Sequence, residues 1–194
     1  MARGDTRRRM LGTAIELIHE GGAGGVTVDA VLSRSHAPRG SVYHHFPGGR
    51  DQIVREAAEM AAEAMTSVVA GLSELPPTQG LRAFIGVWKE MLSGSVFHAG
   101  CPVAAVTVSG TTADPELLEL VAATFGEWKS LCAAALRRSG VPDAEADRVA
   151  TLAVASIEGA IIMCRAARSL EPLEVVGVEL EDRLTAALAA ARRG

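Results

Sequence analysis

Residues 27–46 read TVDAVLSRSHAPRGSVYHHF, and this stretch decides how the rest of the chain is understood. Val28, Val31 and Leu32 recur at helical spacing and give a first short helix an apolar stripe. Thr27 stands just ahead of it, where a hydroxyl can accept from the unpaired N–H groups of the first turn. Ser35-His36-Ala37 leaves room only for a turn. Pro38 is then expected to open a second helix, since its fixed φ suits the first helical position and its missing N–H is not needed there. Two short helices joined by about three residues form a helix-turn-helix, whose second helix can enter the major groove of DNA.

The second helix has the composition for that task. At 100° per residue Arg39, Gly40, Tyr43 and His44 share one face, with Val42 and His45 on the other. A guanidinium, a bare backbone patch, a phenol and an imidazole can each meet a phosphate or a base edge. Phe46 follows as a plug for the core. Most polar helix faces are merely solvated, but here the chain's single Tyr stands in a run of four ring-bearing residues, Tyr43 to Phe46. Arg7, Arg8, Arg9, Arg34 and Arg50 flank it. These residues point to DNA.

Charge is divided in the same sense. The formal net charge is −4, yet residues 1–50 hold 7 Lys and Arg against 4 Asp and Glu, while residues 51–194 hold 12 against 19. A basic head on an acidic body fits a DNA-binding module joined to a sensing or assembly domain. The expected division is 1–50 for the head, a connecting fourth helix over about 50–72, and 51–194 for ligand binding and dimerisation.

Along the chain every segment reads as helix. Leu11, Ala14, Ile15 and Ile18 mark a first helix over 5–20, capped by Asp5 or Thr6 and stopped by Gly21–Gly25. Pro47-Gly48-Gly49 precedes the long fourth helix. Further helices are expected over about 79–92, 102–108, 114–138, 142–169 and 171–191, with a break at Ser109–Thr112 and a helix start at Asp114-Pro115. The fold class is all-α, with about nine helices.

Other chemistries find little support. Ser41, Ser109 and Ser156 are the candidate nucleophiles, and none sits in a G-x-S-x-G setting. The GGAGG tract lacks the Lys-Ser/Thr of a phosphate-binding loop. Three separated cysteines, Cys101, Cys132 and Cys164, show no CxxC spacing, so core roles outweigh a metal or redox sensor. His19 at the end of the first helix needs no role beyond its helix terminus. No apolar run reaches membrane-spanning length, the best candidate from Ala150 to Ile162 being broken by Ser156 and Glu158. No export signal is evident, which with unpaired thiols reads as cytoplasmic. No catalysis, cofactor, metal or membrane is expected.

A basic first helix, TVDAVLSRS, the turn, PRGSVYHHF and a long helix beginning at PGGRDQI resemble the TetR family of transcriptional regulators over residues 5–60. APRGSVYHHFPGGRDQ and the later GCPVAAV resemble its LmrA/YxaF-like branch. The turn departs from the family's usual glycine, with His36 in its place. Histidine is among the side chains that tolerate positive φ. The resemblance implies a homodimer on a palindromic double-stranded operator, with repression relieved by a small molecule. A DNA-binding repressor that senses nothing is the rival. Carried over by residue, Thr27 would contact a phosphate, and Pro38, Arg39, Gly40, Ser41, Tyr43 and His44 would line the groove. Arg50 would clamp a phosphate at the start of the fourth helix.

Two further sites are expected in the body. A small hydrophobic or aromatic effector would meet Trp88, Met91, Phe97, Cys101, Phe125, Trp128, Cys132 and Ile161. A dimer interface would use the small-residue face Ala153, Ser156, Gly159, Ala160 and Met163 with the repeat Leu180, Leu184 and Leu188.

Overall fold

A computed structural model describes residues 3–108 and 115–193. Among them are nine α-helices and no strand: α1 (Arg3–Gly21), α2 (Val28–Ser35), α3 (Ser41–His45), α4 (Gly49–Ser73), α5 (Pro77–Gly94), α6 (Pro102–Val108), α7 (Pro115–Arg138), α8 (Asp143–Ala167) and α9 (Glu171–Ala191). The expected break at Ser109–Thr112 and the Asp114 start lie outside the described residues. The first helix begins earlier than expected, so Asp5 lies in its first turn and pairs with Arg9 one turn on at 2.7 Å.

The chain forms two compact units, one built from residues up to 63 with 101–121, the other from 64–100 with 122–194. This differs from the boundary expected at residue 50. The helix α4 is continuous through 63, and α6 packs on α1, so the head is larger than its helix-turn-helix.

The head closes over Met10, Ala14, Ile18, Val26, Val31, Val42, Phe46 and Ile53, all fully buried. Apolar residues at i, i+4 and i+8 along α1 supply one wall, and the two short helices close the others. Polar ties fix the frame. Arg34 grips Glu20 with two bonds of 2.9 Å, joining α2 to the end of α1. Arg7 pairs with Glu56, whose other oxygen accepts from Gln52 at 2.9 Å. Arg55 reaches Glu116 at 2.6 Å.

In the second unit α9 packs along α8 and α5. Leu136, Val141, Ala146, Val149, Ala150, Leu184 and Ala187 form a buried cluster where α7 turns into α8. Gly80 lets α5 begin close against the end of α4, since a Cβ there would stand 2.6 Å from the Leu72 carbonyl oxygen. Ion pairs Arg82–Glu181 and Lys89–Glu174 brace α5 on α9. By length and composition α8 would pass for a membrane span, contrary to the expectation that no segment reaches that length. Core helices pass the same test, and one side of α8 is buried in this unit.

Candidate DNA interface and ligand cavity

In the head, Thr27 caps α2 as its position requires: its Oγ1 accepts from the Ala30 N–H at 3.1 Å. His36 ends α2 in the left-handed region at φ 52°, ψ 34°, donating its N–H to the Leu32 carbonyl. The turn is therefore built on a left-handed residue without glycine.

The second helix starts later than expected. Pro38 does not open it; the Pro38 carbonyl accepts from the Ser41 N–H at 2.9 Å and from Ser41 Oγ at 2.6 Å, closing a turn over 38–41. The Ala37 N–H still bonds back to Leu32, at the end of α2. Five residues, 36–40, thus lie between the two helices where about three were expected, and α3 spans only Ser41–His45. Arg39 stands on the approach turn instead of the second helical position. It is exposed, and it makes no ion pair or hydrogen bond among the described residues. Tyr43 is 66 % exposed beside the exposed His44, while Val42 and Phe46 are buried. His45 is partly buried and edge-on to Phe46.

Arg50 departs from expectation in its direction. Its Nε donates to the Val26 carbonyl at 2.7 Å, its Nη2 to the Ala23 carbonyl at 2.6 Å, and its Nη1 to Asp51 at 3.1 Å. The side chain turns back to lace the 23–26 segment onto the start of α4, so it holds the head together where a phosphate clamp was expected.

In the second unit a cavity of about 110 Å³ lies among α4, α5, α7, α8 and α9. Its wall includes Phe84, Leu81, Trp128, Cys132, Ile157 and Glu158. The Trp128 ring is held from behind. Its Nε1–H donates to Thr66 Oγ1 at 2.8 Å, and Phe125 meets it edge-on at 5.3 Å between centroids. Burial pushes the Cys132 thiol up from its ordinary range, so it stays protonated and serves as apolar wall. Ser73, also on the wall, spends its hydroxyl on the Ala70 carbonyl at 2.8 Å. Such a lining suits an apolar guest.

Two family models match this chain. The model described as bacterial regulatory proteins, tetR family, covers residues 10–57, and that of the LmrA/YxaF-like transcriptional regulator C-terminal domain covers residues 77–179. The chain belongs to the TetR family. It is a DNA-binding transcriptional regulator and not an enzyme. An HTH-type transcriptional regulator of Mycobacterium tuberculosis is 40 % identical over 190 residues, covering 94 % of this chain and 95 % of the relative. LmrA of Bacillus subtilis, an HTH-type transcriptional regulator, is 30 % identical over 186 residues, covering 95 % and 99 %. The fold matches the crystal structure of a regulatory protein TetR from Rhodobacter sphaeroides with a TM-score of 0.82 at 20 % identity, covering 91 % and 97 %.

Against this TetR frame the expected effector residues divide. Trp128 and Cys132 line the cavity. Phe125 stands behind Trp128. Trp88 is fully buried, set edge-on to the wall residue Phe84 at 6.4 Å, and is not itself part of the lining. Met91 is on α5 and the half-buried Phe97 follows it in a loop at φ 63°, both outside the lining. Ile161 is buried elsewhere on α8, and Cys101 belongs to the head. Spacing identifies buried faces; it does not say between which of them a gap remains. Glu158 and Phe84 were missed. The sequence signal for Glu158 is its being a single acid inside the apolar run of α8.

The expected interface divides too. Leu180 and Leu184 are buried in the chain's own body, Leu188 packs against the same cluster, Ala160 is buried, and Ala153 lines the cavity. An i, i+4 leucine repeat serves an internal seam as well as an external one. Met163 is exposed together with Leu152 and Ile162 of α8, while Ser156 and Gly159, between Leu152 and Met163 at helical spacing, are half-buried. Met163 is 59 % exposed, and Val175 and Val178 of α9 are similarly open. Among the described residues no group of three His, Cys, Asp or Glu is arranged for a metal.

Proposed function

We propose that this regulator is a cytoplasmic repressor whose two-fold dimer holds a palindromic operator and releases it when a small, largely apolar molecule enters the cavity of the second unit. The observation that carries the reading is that cavity: an apolar-walled space in a unit separate from the DNA-reading head. Pockets for small ligands have this character, apolar walls with few polar groups. Thr27, Arg39, Tyr43 and His44 are the residues proposed to touch DNA, with Gly40 and Ser41 shaping the backbone that approaches it. The exposed apolar row Leu152, Ile162 and Met163 on α8, with Val175 and Val178 on α9, is the proposed dimer face. Exposed apolar patches of this kind mark association surfaces.

Bound DNA is selected from a random pool with the purified chain, and the selected duplex is titrated by gel shift with and without small aromatic and aliphatic compounds. A palindromic consensus and compound-dependent loss of binding are expected. A ligand shifts the operator equilibrium only by its differential affinity for two states of the protein. Compounds that bind the protein and leave operator affinity unchanged would make it a constitutive repressor.

A further inference from the structure

We propose that the cavity takes a protonated amine, a compact ligand with one aromatic ring or a short aliphatic body whose ammonium group donates to the carboxylate of Glu158. This rests on reading the cavity as the effector site. The chemistry of the wall is one-sided. Cys132 is held protonated, the Trp128 indole N–H is committed to Thr66, and the Ser73 hydroxyl to its own helix. Glu158 is the one charged side chain on the wall among the described residues. An ionised carboxylate accepts hydrogen bonds and cannot donate. An apolar wall with one such group favours a cation and opposes an anion, whose burial beside it would add like-charge repulsion to desolvation.

Position on the helix gives the ligand a direction. Ala150, Ala153, Val154, Ile157 and Glu158 recur at i, i+3, i+4, i+7 and i+8 along α8 and all line the cavity. The carboxylate therefore closes one end of an apolar strip. The ammonium belongs at that end and the carbon body along the strip. Phe84 and Trp128 add aromatic rings to the same wall, and a ring face turned to the ammonium would add its attraction. Volume limits the body: at about 110 Å³ the cavity is smaller than the roughly 150 Å³ that accommodates benzene, so the carbon body can be no larger than a single ring or its aliphatic equivalent.

Isothermal titration calorimetry on the full-length chain separates the charge from the body with three probes of one shape: phenethylammonium, 2-phenylethanol and phenylacetate. The amine is expected to bind at least about tenfold more tightly than the alcohol, the scale of a hydrogen bond to a charged group, with phenylacetate weakest. In Glu158→Gln the preference for the amine should vanish, and in Glu158→Asp, which keeps the charge, it should persist. Thermal unfolding of both variants checks that they fold. Absence of saturable amine binding, equal affinity for amine and alcohol, or an undiminished preference in folded Glu158→Gln overturns the proposal. Operator release by 2-phenylethanol as efficient as by the amine leaves the effector reading standing and removes this one. Glu158-dependent amine binding that leaves the operator bound does the reverse.

Discussion

The guanidinium carbon of Arg7 lies 5.0 Å from the centroid of the Phe46 ring, and the same guanidinium pairs with Glu56 of α4. One side chain of α1 thus covers the plug at the end of α3 and ties it to α4. Phe46 is fully buried, so Phe46→Ala should cost about 3–5 kcal/mol through lost burial and the space left behind. Arg7→Gln should cost about 1 kcal/mol or less, because the pair and the cation–ring contact are partly solvated. Hydrogen exchange of the α1–α4 amides measures both. Equal protection in Phe46→Ala and the parent would show that the ring is not the keystone of the head.

Arg39, Tyr43 and Arg50 should respond differently in gel-shift titrations against matched and point-changed operators. Arg39→Ala should lose about 1–3 kcal/mol and relax preference at one base pair in each half-site. Tyr43→Phe should weaken all sequences alike, as loss of a phosphate contact does. Arg50→Ala should lower head stability and leave the slope of log K against log salt unchanged, since its donors are spent on the Ala23 and Val26 carbonyls. A slope reduced by about one per half-site would return Arg50 to the phosphate backbone.

His36 holds a left-handed conformation that costs an L-residue about 1–2 kcal/mol. His36→Gly relieves that strain and loosens the unfolded chain, so the net change should be small and toward stability, at most about 1 kcal/mol. His36→Val, β-branched at positive φ, should destabilise by more than that. Urea midpoints of the two variants decide the order.

How far the sequence carried differs between these residues, and the difference is one of range. Thr27 as a cap, His36 as the turn residue and the burial of Val42 and Phe46 follow from interactions within a few positions, and the sequence displays them. The start of α3 was misplaced because a proline suited to a first helical position equally suits a turn, and the Ser41 bonds to its carbonyl settle the competition. The direction of Arg50 depends on carbonyls 24 and 27 residues away. Leu184 and Met163 were equally good interface residues by spacing, and only the packing of α9 on α8 separates inside from outside. Glu158 needed five helices in place before it could be seen on a cavity wall.

Acid should loosen the α8–α9 and α5–α9 contacts. Hydrogen bonds from Arg148 and then Arg183 hold the Glu145 carboxyl below its usual range, and Arg82 does the same for Glu181. A carboxyl with a folded pKa below its unfolded value stabilises fully above the unfolded value, and that contribution is lost as pH falls through the folded one. Urea midpoints of the second unit should therefore fall as pH drops below the ordinary carboxylate range. In Glu145→Gln with Glu181→Gln that fall should be shallower; an identical pH profile would remove both pairs from the account.

Met163→Glu places a charge on the proposed dimer face at an exposed position and should give a folded monomer by light scattering. Leu184→Ala, by contrast, opens the interior of the body and should cost about 2–5 kcal/mol. A Met163→Glu chain that remains dimeric moves the interface elsewhere.

Trp88 and Trp128 both belong to the second unit, while Tyr43, the chain's one tyrosine, stands on α3 of the head. Each unit therefore carries its own chromophore: a phenol for the DNA-reading half, two indoles for the other. Near-ultraviolet spectra of the unlabelled protein can follow the two halves separately during a single denaturation. Coincident transitions mean that α4 and α7, which run through both units, weld them into one cooperative body. Staggered transitions mean that each half melts on its own terms, and the order of melting names the weaker one.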